Sequence, residues 1–165
     1  MEKFSVTTEI LAGPGAISSL GEKKAHRLFL VSDPYFAKNG WAEKICKQTG
    51  AEAVEIFSEV TPDPSLALAA RGTGRFMDFR PDLLLALGGG SAMDTAKAIL
   101  YFSGEKVPFG AIPTTSGSGS EVTDFAILTH EGVKHPLVDP GIRPEFAVLD
   151  SDLLMDLPRG LIADA

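Results

Sequence analysis

The sequence predicts an α/β domain, a largely parallel sheet covered by helices on both faces. Three observations predict it. Short apolar runs at 28–32, 51–57, 83–87, 109–112 and 146–149 recur along the chain, mostly separated by segments of helical pattern. The run LLLAL at 83–87 is apolar throughout rather than alternating, as a strand buried on both faces is. The runs at 83–87 and 109–112 each lead into a glycine- or hydroxyl-rich loop, GGGS at 88–91 and PTTSGSGSEVT at 113–123. Such sheets gather ligands at the carboxyl ends of their strands.

The elements follow in order. FSVTTEI at 4–10 alternates and predicts a strand. Gly13, Pro14 and Gly15 punctuate the chain, and a short helix runs from Gly15 to Leu20, ended by Gly21. HRLFLVSD at 26–33 is a strand that enters a turn at Pro34, whose ring fixes φ. A single helix then covers 36–49 and stops at Gly50. AEAVEIF at 51–57 is a strand, and VTPDP at 60–64 a rigid loop. Ser65 caps the helix SLALAARGTGRFMDF, in which Gly72 and Gly74 predict a bend or fraying.

After the strand at 83–87 and its glycines, SAMDTAKAILYF places Ala92, Ala96, Ile99 and Leu100 on one helical face. The alanines permit close approach to the sheet. FGAIP at 109–113 is a strand. VTDFAILT at 122–129 is another, with HEGVK turning a hairpin into HPLVD. EFAVLD at 145–150 is the last strand. The tail SDLLMDLPRGLIADA starts as a helix and ends without a polar cap, which predicts a piece of something larger.

The 165 residues suffice for one domain with a core. A net charge of -7, with Lys23-Lys24 as the longest basic pair, argues against a nucleic-acid partner. Cys46 is the only cysteine, which excludes an internal disulfide and a cysteine-rich metal site. Its place in the amphipathic stretch WAEKICKQTG predicts a half-buried thiol rather than a nucleophile. The opening MEKFSVTTEI is not a signal peptide, and no apolar segment is long enough for a bilayer. The expectation is a soluble cytoplasmic protein with no membrane partner. His26, His130 and His135 form no HxxxH or HExxH pair, and there is no GxSxG. No metal site and no catalytic residue are therefore expected within this chain.

Gly88, Gly89 and Gly90 can take positive φ or admit a ligand closely. The helix after them opens with amides that lack intrahelical acceptors and with the positive end of its dipole. Ser91 adds a hydroxyl or a cap. A phosphate or pyrophosphate is the natural guest; a tight turn forced by packing is the other reading. Asp94, in the first turn, would orient the turn rather than touch an anion. Lys97 either faces solvent or lends the site charge. Thr114, Thr115, Ser116 and Ser118 can each donate to phosphate or sugar oxygens. Asp33 either caps the turn at Pro34 or accepts the two ribose hydroxyls of an adenine nucleotide. In the second role its charge selects NAD over NADP.

The paired stretches PDLLLALGGGSAMDTAKAI and IPTTSGSGSEVT, continued by KHPLVDPGIRPEFAVLDSDLLMDLP, are similar to the amino-terminal half of iron-containing, group III alcohol dehydrogenases. The resemblance runs the full chain. It implies a Rossmann-like domain, the amino-terminal half of a dehydroquinate synthase-like fold. It also implies NAD, with Asp33 at the adenosine ribose and Gly89, Gly90 and Ser91 at the pyrophosphate. Asp94 would lie near the nicotinamide end. Thr114, Thr115 and Ser118 would line the cofactor, with Thr123 close to it. Lys134 would sit beside the ribose, and Leu153 near that end of the cleft. Asp124 stands where many members carry a neutral residue.

The family's Fe²⁺, or Zn²⁺, is held by one Asp and three His of a helical carboxy-terminal domain. None of those ligands maps onto residues 1–165, which would form only the NAD-binding domain. The implied parent enzyme interconverts a small primary alcohol or diol and its aldehyde by hydride transfer, and this fragment alone would be inactive. Two other readings are a nucleotide-binding module without turnover and the cofactor half of a glycerol dehydrogenase-like enzyme. The resemblance further implies a homo-oligomer, at least a dimer, joined through FSVTTEI; the plain alternative is an edge strand within one chain.

Overall fold

A computed structural model describes residues 6–115 and 117–155. Eight strands form, β1 (Glu9–Ala12), β2 (Arg27–Ser32), β3 (Ala53–Phe57), β4 (Leu83–Gly88), β5 (Phe109–Pro113), β6 (Phe125–His130), β7 (Val133–Val138) and β8 (Phe146–Leu149). Five helices accompany them, α1 (Pro34–Lys38), α2 (Trp41–Thr49), α3 (Leu66–Phe79), α4 (Gly90–Ser103) and α5 (Ser151–Met155). Six strands make one sheet in the order β1-β8-β5-β4-β2-β3, and every neighbouring pair in it is parallel. β6 and β7 stand apart as an antiparallel hairpin.

The pleat explains why both faces are apolar. Leu28 and Leu30 of β2 and Leu83, Leu85 and Leu87 of β4 point to one side, where they meet Ile17, Leu20, Phe36, Trp41 and Ile45. Phe29 and Val31, with Leu84 and Ala86, point to the other, against Leu68 and Phe76 of α3 and Ala92, Met93 and Ala96 of α4. All of β4 is buried, as its unbroken apolar run requires.

Four local readings are corrected. The helix expected over 36–49 is two helices. Asn39 and Gly40 break it: Gly40 takes φ 89, and the Asn39 side chain accepts the Trp41 amide at 3.2 Å. The Asn-Gly pair carried that signal in the sequence. The bend expected at Gly72 is absent, because α3 runs unbroken and uses Gly72 for contact. A Cβ there would lie 2.4 Å from Ile99 Cδ1 of α4. The first strand begins at Glu9, where its amide reaches Glu145 O at 2.9 Å, so 6–8 precede it; residues 4 and 5 lie outside the described residues. The short helix is a 3-10 helix over Ala16–Lys23 that runs past Gly21. The hairpin turn forms as expected, with Glu131 and Gly132 both at positive φ, matching the twist of the strands it joins.

Candidate dinucleotide site

β2 and β4 are neighbours, yet the chain leaves their carboxyl ends in opposite directions. From β2 it passes through α1 and α2 on one face to β3; from β4 it passes through α4 on the other face to β5. A crevice opens at such a reversal. Here it is a cleft of about 490 Å³, lined among others by Asp33, Gly89, Gly90, Ser91, Thr114 and Thr115. Six of the eleven residues singled out in the sequence thus converge.

Asp33 caps α1. Its Oδ1 accepts the amides of Tyr35 at 3.0 Å and Phe36 at 3.2 Å. Burial raises its pKa above the ordinary carboxylate value, and those two amides oppose the rise. Of the three glycines only Gly88 takes positive φ, at 145°. A Cβ there would lie 2.8 Å from Ala92 Cβ and 2.9 Å from Asp33 Oδ2. The carboxylate and the glycine turn are therefore packed against each other. Gly89 is held bare for a different reason, since a Cβ would crowd Thr115 at 3.1 Å. Its carbonyl takes the amides of Ala92 and Met93, which starts α4 and aims that helix's first turn at the cleft.

The hydroxyl loop lies against this turn. Thr114 is buried, and its amide extends the β4–β5 ladder to Gly88 O at 3.0 Å. A Cβ on Gly90 would stand 3.5 Å from Ser118 Cβ, so Ser118 covers the start of α4. Ser116 lies outside the described residues.

The remaining predicted residues sit elsewhere. Both Asp94 oxygens are engaged: Oδ2 accepts the Ile127 amide at 3.2 Å and Oδ1 the Ser120 hydroxyl at 3.3 Å. Burial raises its pKa, against the Ile127 amide, the Lys97 charge and the Ser120 hydroxyl. Thr123 Oγ1 accepts from Lys97 Nζ at 3.1 Å. Lys134 is exposed on the hairpin and pairs with Asp63 at 2.8 Å. Leu153 is fully buried in the core on the α2 side. The Asp124 carboxylate is taken by Arg143. Lys97, which could have faced solvent, is fully buried. Its neighbours are polar groups of the hydroxyl loop, which an apolar-face count on α4 does not reveal.

Sequence reasoning missed the opposite wall, Tyr35, Phe36, Val60, Thr61 and Pro62. VTPDP read only as a rigid loop. The available signal was its position, directly after β3 and beside the end of β2. Among the described residues no group of three or more His, Cys, Asp or Glu is placed to hold a metal ion. No described helix is long and apolar enough to cross a membrane.

The fold and cleft define a doubly wound α/β domain with a glycine turn and a carboxylate at its strand reversal, the class that binds dinucleotides. Residues 7–151 match the family described as iron-containing alcohol dehydrogenase, and the chain belongs to that family. It is 34% identical over 174 residues to the 1-propanol dehydrogenase PduQ of Citrobacter freundii, covering 99% of this chain and 46% of the relative. It is 35% identical over 188 residues to the NADPH-dependent butanol dehydrogenase of Clostridium saccharobutylicum, covering 99% of this chain and 48% of that one. Among solved structures it is similar to the sulfoacetaldehyde reductase of Bifidobacterium kashiwanohense in complex with NAD+. That match has a TM-score of 0.85 and 26% identity, over 98% of this chain and 49% of the other. The chain spans about half the length of these two relatives, and about a fifth of the bifunctional aldehyde-alcohol dehydrogenase of Escherichia coli that it also matches.

Proposed function

We propose that the chain is the NAD-binding half of an alcohol dehydrogenase that interconverts a small primary alcohol or diol and its aldehyde by hydride transfer. The observation that carries the reading is the Asp33 carboxylate packed against the glycine turn at the β2/β4 reversal. The α4 first turn, with Gly89, Gly90 and Ser91, offers amides to a pyrophosphate. In this reading Asp33 accepts ribose hydroxyls, and a 2′-phosphate there would meet its charge. Thr114, Thr115 and Ser118 close the turn from the β5 side. Bound NAD would supply the hydride-accepting ring; the residues of this chain bind and orient it. The metal and the alcohol belong, in this reading, to the part of the relatives that this chain does not cover. Assembly is at least dimeric in this reading, and β1, one of the two edges of the sheet, is the strand that would join the subunits.

Relatives of both coenzyme types make Asp33 the point to test. Calorimetric titration of the chain should give saturable NADH binding at least tenfold tighter than NADPH. Asp33→Asn keeps the cap acceptor and should bring the two within threefold. Equal affinities in the unaltered chain, or no binding of either, would overturn the proposal.

A further inference from the structure

Lys97 is the one buried cationic side chain among the described residues, and it lies outside the cleft. A buried ammonium persists only if its protons are satisfied. This one is aimed wholly at the hydroxyl loop and the start of β6. Four acceptors lie within reach of its three protons: Ser120 O at 2.6 Å, Ser120 Oγ at 2.9 Å, Thr123 Oγ1 at 3.1 Å and Phe125 O at 2.8 Å. Asp94, one turn earlier on α4, holds the same segment through Ser120 Oγ and the Ile127 amide. Ser120 in turn donates its amide to Ser118 Oγ at 3.4 Å, and Ser118 covers Gly90. Hydrogen bonds therefore lead from Lys97 through Ser120 to Ser118, which occupies the space beside Gly90 at the start of α4.

We propose that Lys97 is a positioning residue for coenzyme binding: its ammonium fixes the 118–125 segment so that Ser118 sits over the anion-binding turn. The inference rests on the dinucleotide reading of the cleft. Lys97 touches no ligand itself; it acts through Ser120. The groups that face it are Asp94 on its own helix and Glu121 and Asp124 on the loop, with Asp124 paired to Arg143. Burial lowers its pKa to about 8, against those three carboxylates. Because the lowering is set by burial, a rise in pH favours the side chain in this site over its release to water.

The test compares the unaltered chain with Lys97→Met and Lys97→Arg. In Lys97→Met, amide hydrogen exchange over 118–125 should quicken at least tenfold while β4 and β5 keep their protection, and the NADH dissociation constant should rise at least tenfold. Lys97→Arg should restore affinity to within threefold. Ser120→Ala leaves Lys97 and the strands in place and supplies a second measurement: it removes the hydroxyl shared by Lys97 and Asp94, and its NADH dissociation constant should rise at least threefold with faster exchange over 118–125. Unchanged NADH affinity in Lys97→Met, unchanged exchange over 118–125, or unchanged affinity in Ser120→Ala would overturn this inference and leave the proposed function standing. Failure of the unaltered chain to bind NADH at any pH would overturn both.

Discussion

The two loops at the ends of β4 and β5 lie side by side and are built in opposite ways. The turn at 88–91 is fixed by what its residues lack. Gly88 has no Cβ to strike Ala92 or Asp33, and Gly89 none to crowd Thr115. The loop at 114–123 is fixed by what its residues offer. Its carbonyl and hydroxyl oxygens surround an ammonium brought from α4. The first arrangement is steric and insensitive to pH. The second is electrostatic, and it titrates. The two together set a sterically fixed turn beside a loop held by charge.

The largest expected effect breaks the steric side. Gly88→Val places a β-branched residue at φ 145 and within van der Waals overlap of two neighbours. Strain and overpacking together should cost about 2–5 kcal/mol. Urea unfolding should show a lower midpoint with an unchanged slope, and NADH binding should be lost along with it. A destabilisation below about 1 kcal/mol would mean that the turn can relax and that its glycines are not sterically required.

The same contrast explains what the sequence could tell. Glycines after an unbroken apolar run are a local pattern, so the β4 turn and the Asp33 corner were legible from consecutive residues. The parallel strands were legible for the same reason. Lys97 was not, because its partners are 23 to 28 residues away and only the fold brings them near. Nothing in SAMDTAKAIL distinguishes a lysine that faces water from one that faces a ring of oxygens. Gly72 misled in a related way. Within α3 it reads as a weakness, and only the neighbouring Ile99 shows it to be a contact. The wall at 60–62 escaped because its place beside the end of β2 depends on strand order, which no single segment states.

The next effect sharpens the electrostatic side. Lys97 has a folded pKa of about 8 against an ordinary 10.5. Between those values the unfolded chain holds a proton that the folded chain has released, so stability rises with pH, by at most about 1.4 kcal/mol per unit. Cys46 runs the other way. Burial pushes its thiol from 9.0 up to about 11, so the unfolded chain loses that proton first and stability falls with pH over that interval. The rise due to Lys97 should therefore stand clear only between about pH 8 and 9. It should extend towards 10 in Cys46→Ala and vanish in Lys97→Met. Urea midpoints measured across pH 7.5–10 decide it, and a rise that survives in Lys97→Met would assign the titration to another group.

The smallest effect separates the turn from the loop. The Ser118 side chain is exposed and accepts one long hydrogen bond, so Ser118→Ala should change stability by less than about 0.5 kcal/mol. If its hydroxyl also reaches the bound coenzyme, the loss of one such bond is worth about 0.5–1.5 kcal/mol, a few-fold in NADH affinity. Calorimetry should show that few-fold loss with the urea midpoint unchanged. Affinity that stays the same would leave the amides of the glycine turn to hold the coenzyme without Ser118, and the loop would then act by shape rather than by donation.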